Sequence, residues 1–252
     1  MNINISLVKA FEKRGRDLRW NAYLSTERTV PNKHSEQYVN IVRTAHSYKD
    51  PIPTNFAIPK PPYTAVSHFA SWVHDISMDP LKLIQKARQQ DLGKQAESSI
   101  ENARRSAHQF GKFSPGSLWN LVHNGTGENH DKKIYVISDL VVNGRALVGS
   151  PDYVFKEQGS GRILIVEIKN TNIYENLIPS DGWPDMRAQL WAYSLIDEFR
   201  DAPEVILASE IWFGEYEYKL THIVNWRRGD EPFMSISQSL FTYYKNLVEA
   251  VA

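Results

Sequence analysis

The stretch that most constrains how this chain can fold is Ile163-Leu-Ile-Val-Glu167-Ile-Lys169. Its apolar residues run almost without interruption, so neither face can be turned to water, and the run fits a strand covered on both sides in the centre of a sheet. Charge enters only at its end, where a buried strand opens at the mouth of a cleft. Side chains alternate along a strand, so Glu167 and Lys169 share one face while Ile168 takes the other.

A glycine-rich turn, Gln158-Gly-Ser-Gly161, separates that strand from Gly149-Ser-Pro-Asp152-Tyr-Val-Phe, which puts Asp152 at the start of a neighbouring strand. Two carboxylates and an ammonium then meet in one small site. Such a set can hold a hard divalent cation on oxygen and keep a lysine beside an attacking water or an anionic substrate oxygen. Upstream, Ile134-Tyr-Val-Ile-Ser-Asp-Leu-Val-Val and Arg145-Ala-Leu-Val flank Asn143-Gly144, the strongest short hairpin signal available. Downstream, a helix begins after Gly182-Trp-Pro184 and carries Gln189 and Tyr193 four residues apart, stacked on one face.

The flanking segments are less distinctive. Ser67 is a candidate cap for a helix with Phe69, Trp72 and Val73 on one side, and Asp79-Pro80 opens another with Leu81, Leu83, Ile84 and Ala87 inward. His68 and His74 lie here and read as packed or exposed residues. A third helix follows Gly93, with Glu97 and Glu101 on one face; Glu97 either decorates a surface helix or leans into the acidic site. His123-Asn-Gly-Thr-Gly-Glu-Asn-His130 reads as a flexible turn, because it lacks the Lys-Ser/Thr ending of a phosphate loop and the third ligand of a zinc site. Strands are expected over about 203–213 and 216–226, and an amphipathic helix from about 235 to 251. Trp226-Arg227-Arg228-Gly229 is a short basic turn beside an aromatic ring, suited either to packing or to stacking on a base. Residues 1–47 alternate in charge as a solvated face does, and prolines break the chain over 48–64. The expected organisation is an extension with a proline-rich connection over 1–64 and a domain over 65–252, with its core at 93–214.

The chain has 29 basic and 29 acidic residues and no cysteine. Neutrality excludes a general coat of positive charge but leaves room for a local basic groove. The missing cysteines exclude disulfides, thiolate zinc sites and cysteine-ligated iron-sulfur clusters. No apolar stretch reaches bilayer-spanning length, and Met1-Asn-Ile-Asn-Ile-Ser lacks the order of a signal peptide, so the expectation is a cytoplasmic protein without a membrane partner.

Taken in order, Gly93-x-x-x-Glu97, Pro151-Asp152, Glu167-Ile168-Lys169 and Gln189-x-x-x-Tyr193 resemble the PD-(D/E)xK nuclease superfamily. The Gln-x-x-x-Tyr pair is similar to that of its RecB-like branch, which includes lambda exonuclease-like enzymes and CRISPR adaptation nucleases. The resemblance spans about residues 93–196. It implies an α/β, restriction-endonuclease-like core, a central mixed β-sheet flanked by helices, with an N-terminal helical or irregular extension. It also implies metal-dependent hydrolysis of DNA phosphodiester bonds, by an exonuclease or end-processing enzyme of repair, recombination or phage type. Asp152, Glu167 and the Ile168 backbone carbonyl would hold Mg2+ or Mn2+. A fourth ligand stays open between Glu97 and an upstream histidine, His123 or His130. Lys169 would orient or help deprotonate the water, Gln189 would contact the lysine, water or phosphate, and Tyr193 would hold the strand or brace the helix.

Single- or double-stranded DNA is the implied partner, with Arg104, Arg105, Trp226, Arg227 and Arg228 as candidate contacts. The extension is a candidate clamp for DNA or a protein partner. An iron-sulfur cluster is not expected. Two other readings stay open: a non-catalytic nucleic-acid-binding or assembly protein of the same fold, and a ribonuclease using the same site.

Overall fold

Two nine-residue runs, Ile163–Thr171 and Val205–Phe213, are apolar on both faces through most of their length and lie side by side in parallel at the middle of the molecule. The computed structural model describes residues 39–44, 57–77, 119–126, 131–171, 182–213, 220–231 and 233–251. In chain order these form β1 (Val39–Thr44), α1 (Val66–Ser77), β2 (Trp119–Asn124), β3 (Tyr135–Val142), β4 (Arg145–Gly149), β5 (Tyr153–Glu157), β6 (Ile163–Thr171) and α2 (Pro184–Ser194). A short 3-10 turn (Asp197–Phe199), β7 (Val205–Phe213), β8 (Leu220–Arg227) and α3 (Phe233–Val251) complete the order. The fold is α/β, with a mixed six-stranded sheet in the order β1-β8-β7-β6-β5-β2 and helices against it.

Alternation along β6 and β7 divides the core in two. Ile163, Ile165, Val205, Leu207 and Ile211 face the helices, while Leu164, Val166, Ile206 and Ala208 join Trp119, Tyr153 and Phe155 on the other face. Helix α1 buries Val66, Phe69, Ala70, Trp72, Val73 and Ile76, a single stripe at helical spacing. Helix α2 is buried on all sides from Met186 to Ser194 because it lies between the sheet and the other two helices. Phe69, Trp191, Phe241 and Tyr244 lock the three helices together through tilted and edge-to-face ring contacts.

Strands β3 and β4 form a separate two-stranded sheet, which Val148 also ties to Ala65 through a single parallel bridge; they turn across Asn143 and Gly144, whose φ values of 49° and 70° are the left-handed pair of a two-residue hairpin turn. Residues 150–152 separate β4 from β5, and the chain passes there from the hairpin into the main sheet. Two strands go unannounced in the sequence. β2, within and just before the stretch expected to be a turn, pairs antiparallel with β5, and the turn begins only after Asn124. β1, inside the expected extension, pairs in parallel with β8. The helices expected from Asp79 and from Gly93 lie outside the described residues.

The β6 strand outruns its β5 neighbour. The last β5–β6 pair is Tyr153 with Val166, whereas β6 stays paired with β7 through Thr171 and Phe213. Residues 167–171 therefore run past the end of β5, and among the described residues no strand pairs with them on that side.

Candidate active site

Asp152 occupies the corner where β5 begins. Helix α1 and helix α2 come so close to β4 that a Cβ on Gly149 would lie 2.7 Å from Tyr193 Cε1 and 3.2 Å from Val66 Cβ, so only glycine fits there. Beyond the corner the Asp152 carboxylate takes the place of a strand partner: its Oδ2 accepts from Ile168 N at 2.7 Å. In return Asp152 N donates to Glu167 Oε1 at 3.2 Å. The two carboxylates are thus locked to each other's strand. Because the N–H and C=O of one residue point to the same edge of an extended strand, the Ile168 carbonyl opens on the Asp152 side as well.

Helix α2 completes the arrangement. Gln189 Nε2 donates to Glu167 Oε2 at 3.0 Å, and Gln189 Oε1 accepts from Lys169 Nζ at 2.7 Å. A lysine has only donors and an ionised glutamate only acceptors, so the amide, with one of each end, joins the two in a single orientation. Lys169 Nζ is also 3.8 Å from Glu167 Oε2, and its side chain is 28% exposed against 4% for Glu167. The ammonium reaches the opening while the carboxylate lies under it. One turn along, Tyr193 OH lies 3.4 Å from Gln189 Nε2 and donates to Ser150 O at 3.3 Å. Burial, reinforced by the charges of Glu167 and Asp152, holds its phenol well above the usual range, so Tyr193 acts as a neutral hydrogen-bonding brace.

The structure therefore brings Asp152, Glu167, Ile168, Lys169, Gln189 and Tyr193 into one cluster. Other expected site residues are elsewhere. His123, a candidate ligand from the sequence, has its Nε2 3.0 Å from Ser150 Oγ and its ring edge-on to Tyr135, behind the corner. Trp226 is 1% exposed in the core and touches the space beside Gly182, which removes it as a base-stacking surface. Arg228 donates to the carbonyls of Phe199 and Ala202 at 3.0 and 2.7 Å, and Arg227 pairs with Glu204 at 3.1 Å; both fasten loops to the sheet, where the sequence suggests nucleic-acid contacts. Glu97, Arg104, Arg105 and His130 lie outside the described residues.

Three neighbours carry no sequence signal. Ser209 stands opposite Glu167 in the parallel register, on the same face, fully buried and with an Oγ that makes no hydrogen bond. Asp185, in the first turn of α2, lies 3.7 Å from His74 Nδ1 of α1. Burial alone would raise its pKa, but the nearby His74 and, behind it, the charge of Lys169 outweigh that and hold the carboxyl below the ordinary range. Ser150 is the third. Their partners are distant in sequence, which is why spacing could not reveal them.

Among the described residues no group of three or more His, Cys, Asp or Glu side chains is assembled to hold a metal ion. The donors that do converge are two carboxylates and a backbone carbonyl, all hard oxygens of the kind Mg2+ and Mn2+ take, and both cations complete their shells with water. The donor set fits such an ion.

No protein-family model matches the chain, and no curated protein matches it. Among solved structures, the crystal structure of SSO0001 aligns over 71% of this chain and 75% of its own, at 13% identity and a TM-score of 0.33. Among the described residues no helix is long and apolar enough to cross a membrane.

Proposed function

We propose that this chain is a Mg2+- or Mn2+-dependent nuclease of the PD-(D/E)xK type, with a restriction-endonuclease-like core, acting on DNA. The observation that carries the reading is the Lys169–Gln189–Glu167 linkage between β6 and α2, set beside Asp152 at the open end of β5. That linkage joins the residues of both motifs in one hydrogen-bonded unit. The antiparallel β5–β6 pair, followed by α2 and a parallel β7, agrees with such a core.

Asp152, Glu167 and the Ile168 carbonyl would hold the cation, with Glu97 or His130, both outside the described residues, as the candidates for a further protein ligand. When bound, the cation neutralises charge developing on the phosphate and makes a nearby water more acidic. The chain's own residues do the rest. Lys169, half-buried and oriented by Gln189, would orient the attacking water and stabilise negative charge on the phosphate oxygens through its ammonium. Glu167 holds its position through Gln189 and Asp152 N, so its geometry does not depend on a flexible partner. Tyr193 braces the Ser150 carbonyl and keeps the Pro151-Asp152 corner closed. The N-terminal extension is proposed as a contact for DNA or a protein partner.

The experiment is a calorimetric titration of Mn2+ into the wild type and Asp152→Asn. Carboxylate-dependent binding supports the nuclease; heat that is absent, or unchanged in the variant, sinks it. A second reading is favoured by one observation, the two carboxylates without a third among the described residues. It is a non-catalytic nucleic-acid-binding protein of the same fold, in which the cluster is a structural ion pair that binds no metal.

A further inference from the structure

We propose that His123 is a positioning residue for the Asp152 carboxylate, acting through the Ser150-Pro151 corner. Its effect on metal affinity rests on the nuclease reading above; the positioning itself does not.

The imidazole is wholly enclosed, with Nδ1 making no hydrogen bond, so its one hydrogen bond, at Nε2, is what replaces lost water. The register shift between Leu121 and His123 in β2 turns the residue toward the corner. There Nε2 is 3.0 Å from Ser150 Oγ. Tyr135, edge-on at 5.1 Å, fixes the plane of the imidazole. On its far side Nδ1 is 3.6 Å from Asp131 Oδ2, and that carboxylate accepts from Asn124 N at 2.8 Å, tying the following loop back to β2. Burial holds the ring below its ordinary pKa, so it serves as a neutral hydrogen-bonding group.

A second tie runs through the backbone. Gly125 N donates to Asp152 O at 2.8 Å, and a Cβ on Gly125 would lie 2.1 Å from Pro151 O and 2.9 Å from both His123 Nε2 and Ser150 Oγ. Residues 123–125 therefore close on residues 150–152 from two directions, with a side chain on Ser150 and a backbone N–H on Asp152. Pro151 has no donor of its own with which to fix the corner. With the corner held, the Asp152 side chain reaches Ile168 N at 2.7 Å and stays beside Glu167. Groups one step behind a ligand set its precision, and loosening them weakens metal binding although no ligand is lost.

Two readouts on the full chain test this: hydrogen exchange of the Ile168 amide, which needs no metal, and Mn2+ affinity by calorimetry. His123→Leu removes the ring's hydrogen bond. His123→Gln puts an amide nitrogen near the place of Nε2, and His123→Asn stops short of it. The expectation is faster Ile168 exchange and about 10- to 100-fold weaker Mn2+ binding in His123→Leu, with most of both recovered in His123→Gln and not in His123→Asn. A folded His123→Leu protein with wild-type exchange and affinity overturns the proposal. Should that variant not fold, equal behaviour of the Gln and Asn variants overturns it instead. A wild type without Asp152-dependent Mn2+ binding defeats the nuclease reading, while Ile168 exchange still decides whether His123 positions the aspartate.

Discussion

At the end of the sheet where β6 and β7 begin, Arg162 grips both oxygens of Glu157, at 2.6 and 2.7 Å, and reaches Glu204 at 3.2 Å, while Arg227 takes the other Glu204 oxygen at 3.1 Å. At the opposite end, where β6 finishes, Asp152 and Glu167 accept from backbone N–H groups and an amide, and the nearby cation is a lysine 3.8 Å from Glu167. Both clusters put carboxylates and cations at strand ends. The first uses planar guanidinium forks that occupy each glutamate in pairs, which suits a staple. The second uses a compact ammonium aimed by an amide, beside the stretch of β6 that no strand among the described residues pairs on the β5 side, which suits a site that takes up a ligand. Charge at a strand end is thus uninformative until the partner type and the local strand pairing are known.

The contrast breaks most decisively if exchanging the roles fails. Lys169→Ala is expected to lower cleavage by about 10²- to 10⁴-fold with almost unchanged urea denaturation. A variant that unfolds easily and still cleaves would make this end a second staple. Next in size is Gly149→Ala. Its methyl would meet the buried Tyr193 ring at 2.7 Å, and the crowding is expected to cost about 1–3 kcal/mol of stability, visible in the denaturation midpoint, together with a loss of activity.

Arg162→Ala sharpens the other side. Because its side chain is 30% exposed, solvent screening limits the expected loss to about 1–2 kcal/mol, with cleavage unaffected. The same staple sets an acid response. The Arg162 hydrogen bonds hold the Glu157 carboxyl below its usual range, against the opposing effect of burial. Its contribution is therefore present above the unfolded value of about 4.3 and is lost as pH falls through the lower folded value. Wild type and Glu157→Gln should differ in unfolding free energy at pH 7 and converge in strong acid. The smallest effect is expected from Tyr193→Phe, which removes hydrogen bonds of 3.3 and 3.4 Å and should cost about 0.5–1 kcal/mol in the same denaturation experiment.

What could be read from the chain beforehand was local. The apolar run of β6 announces a central strand, the two-residue spacing of Glu167 and Lys169 puts both on one face, and the four-residue spacing of Gln189 and Tyr193 puts both on one side of α2. Asn143-Gly144 announces the hairpin because few other pairs accept two left-handed residues. What could not be read depends on distant partners. β2 contains Asn120 and Asn124, poor strand formers, and is stabilised by pairing with β5 some thirty residues on. That His123 would turn to Ser150, that Trp226 would be sealed in the core and that Arg228 would cap the carbonyls of Phe199 and Ala202 are outcomes of packing, and an aromatic or basic residue looks the same in sequence whichever role it takes.

The most direct test of the central claim is a cleavage assay with Mn2+ on end-labelled linear, circular and single-stranded DNA, run with the wild type, Asp152→Asn and Glu167→Gln. The account predicts cleavage of at least one of these substrates by the wild type, abolished by chelation and in both variants. DNA left intact on all three, or cut equally by the carboxylate variants, would contradict it.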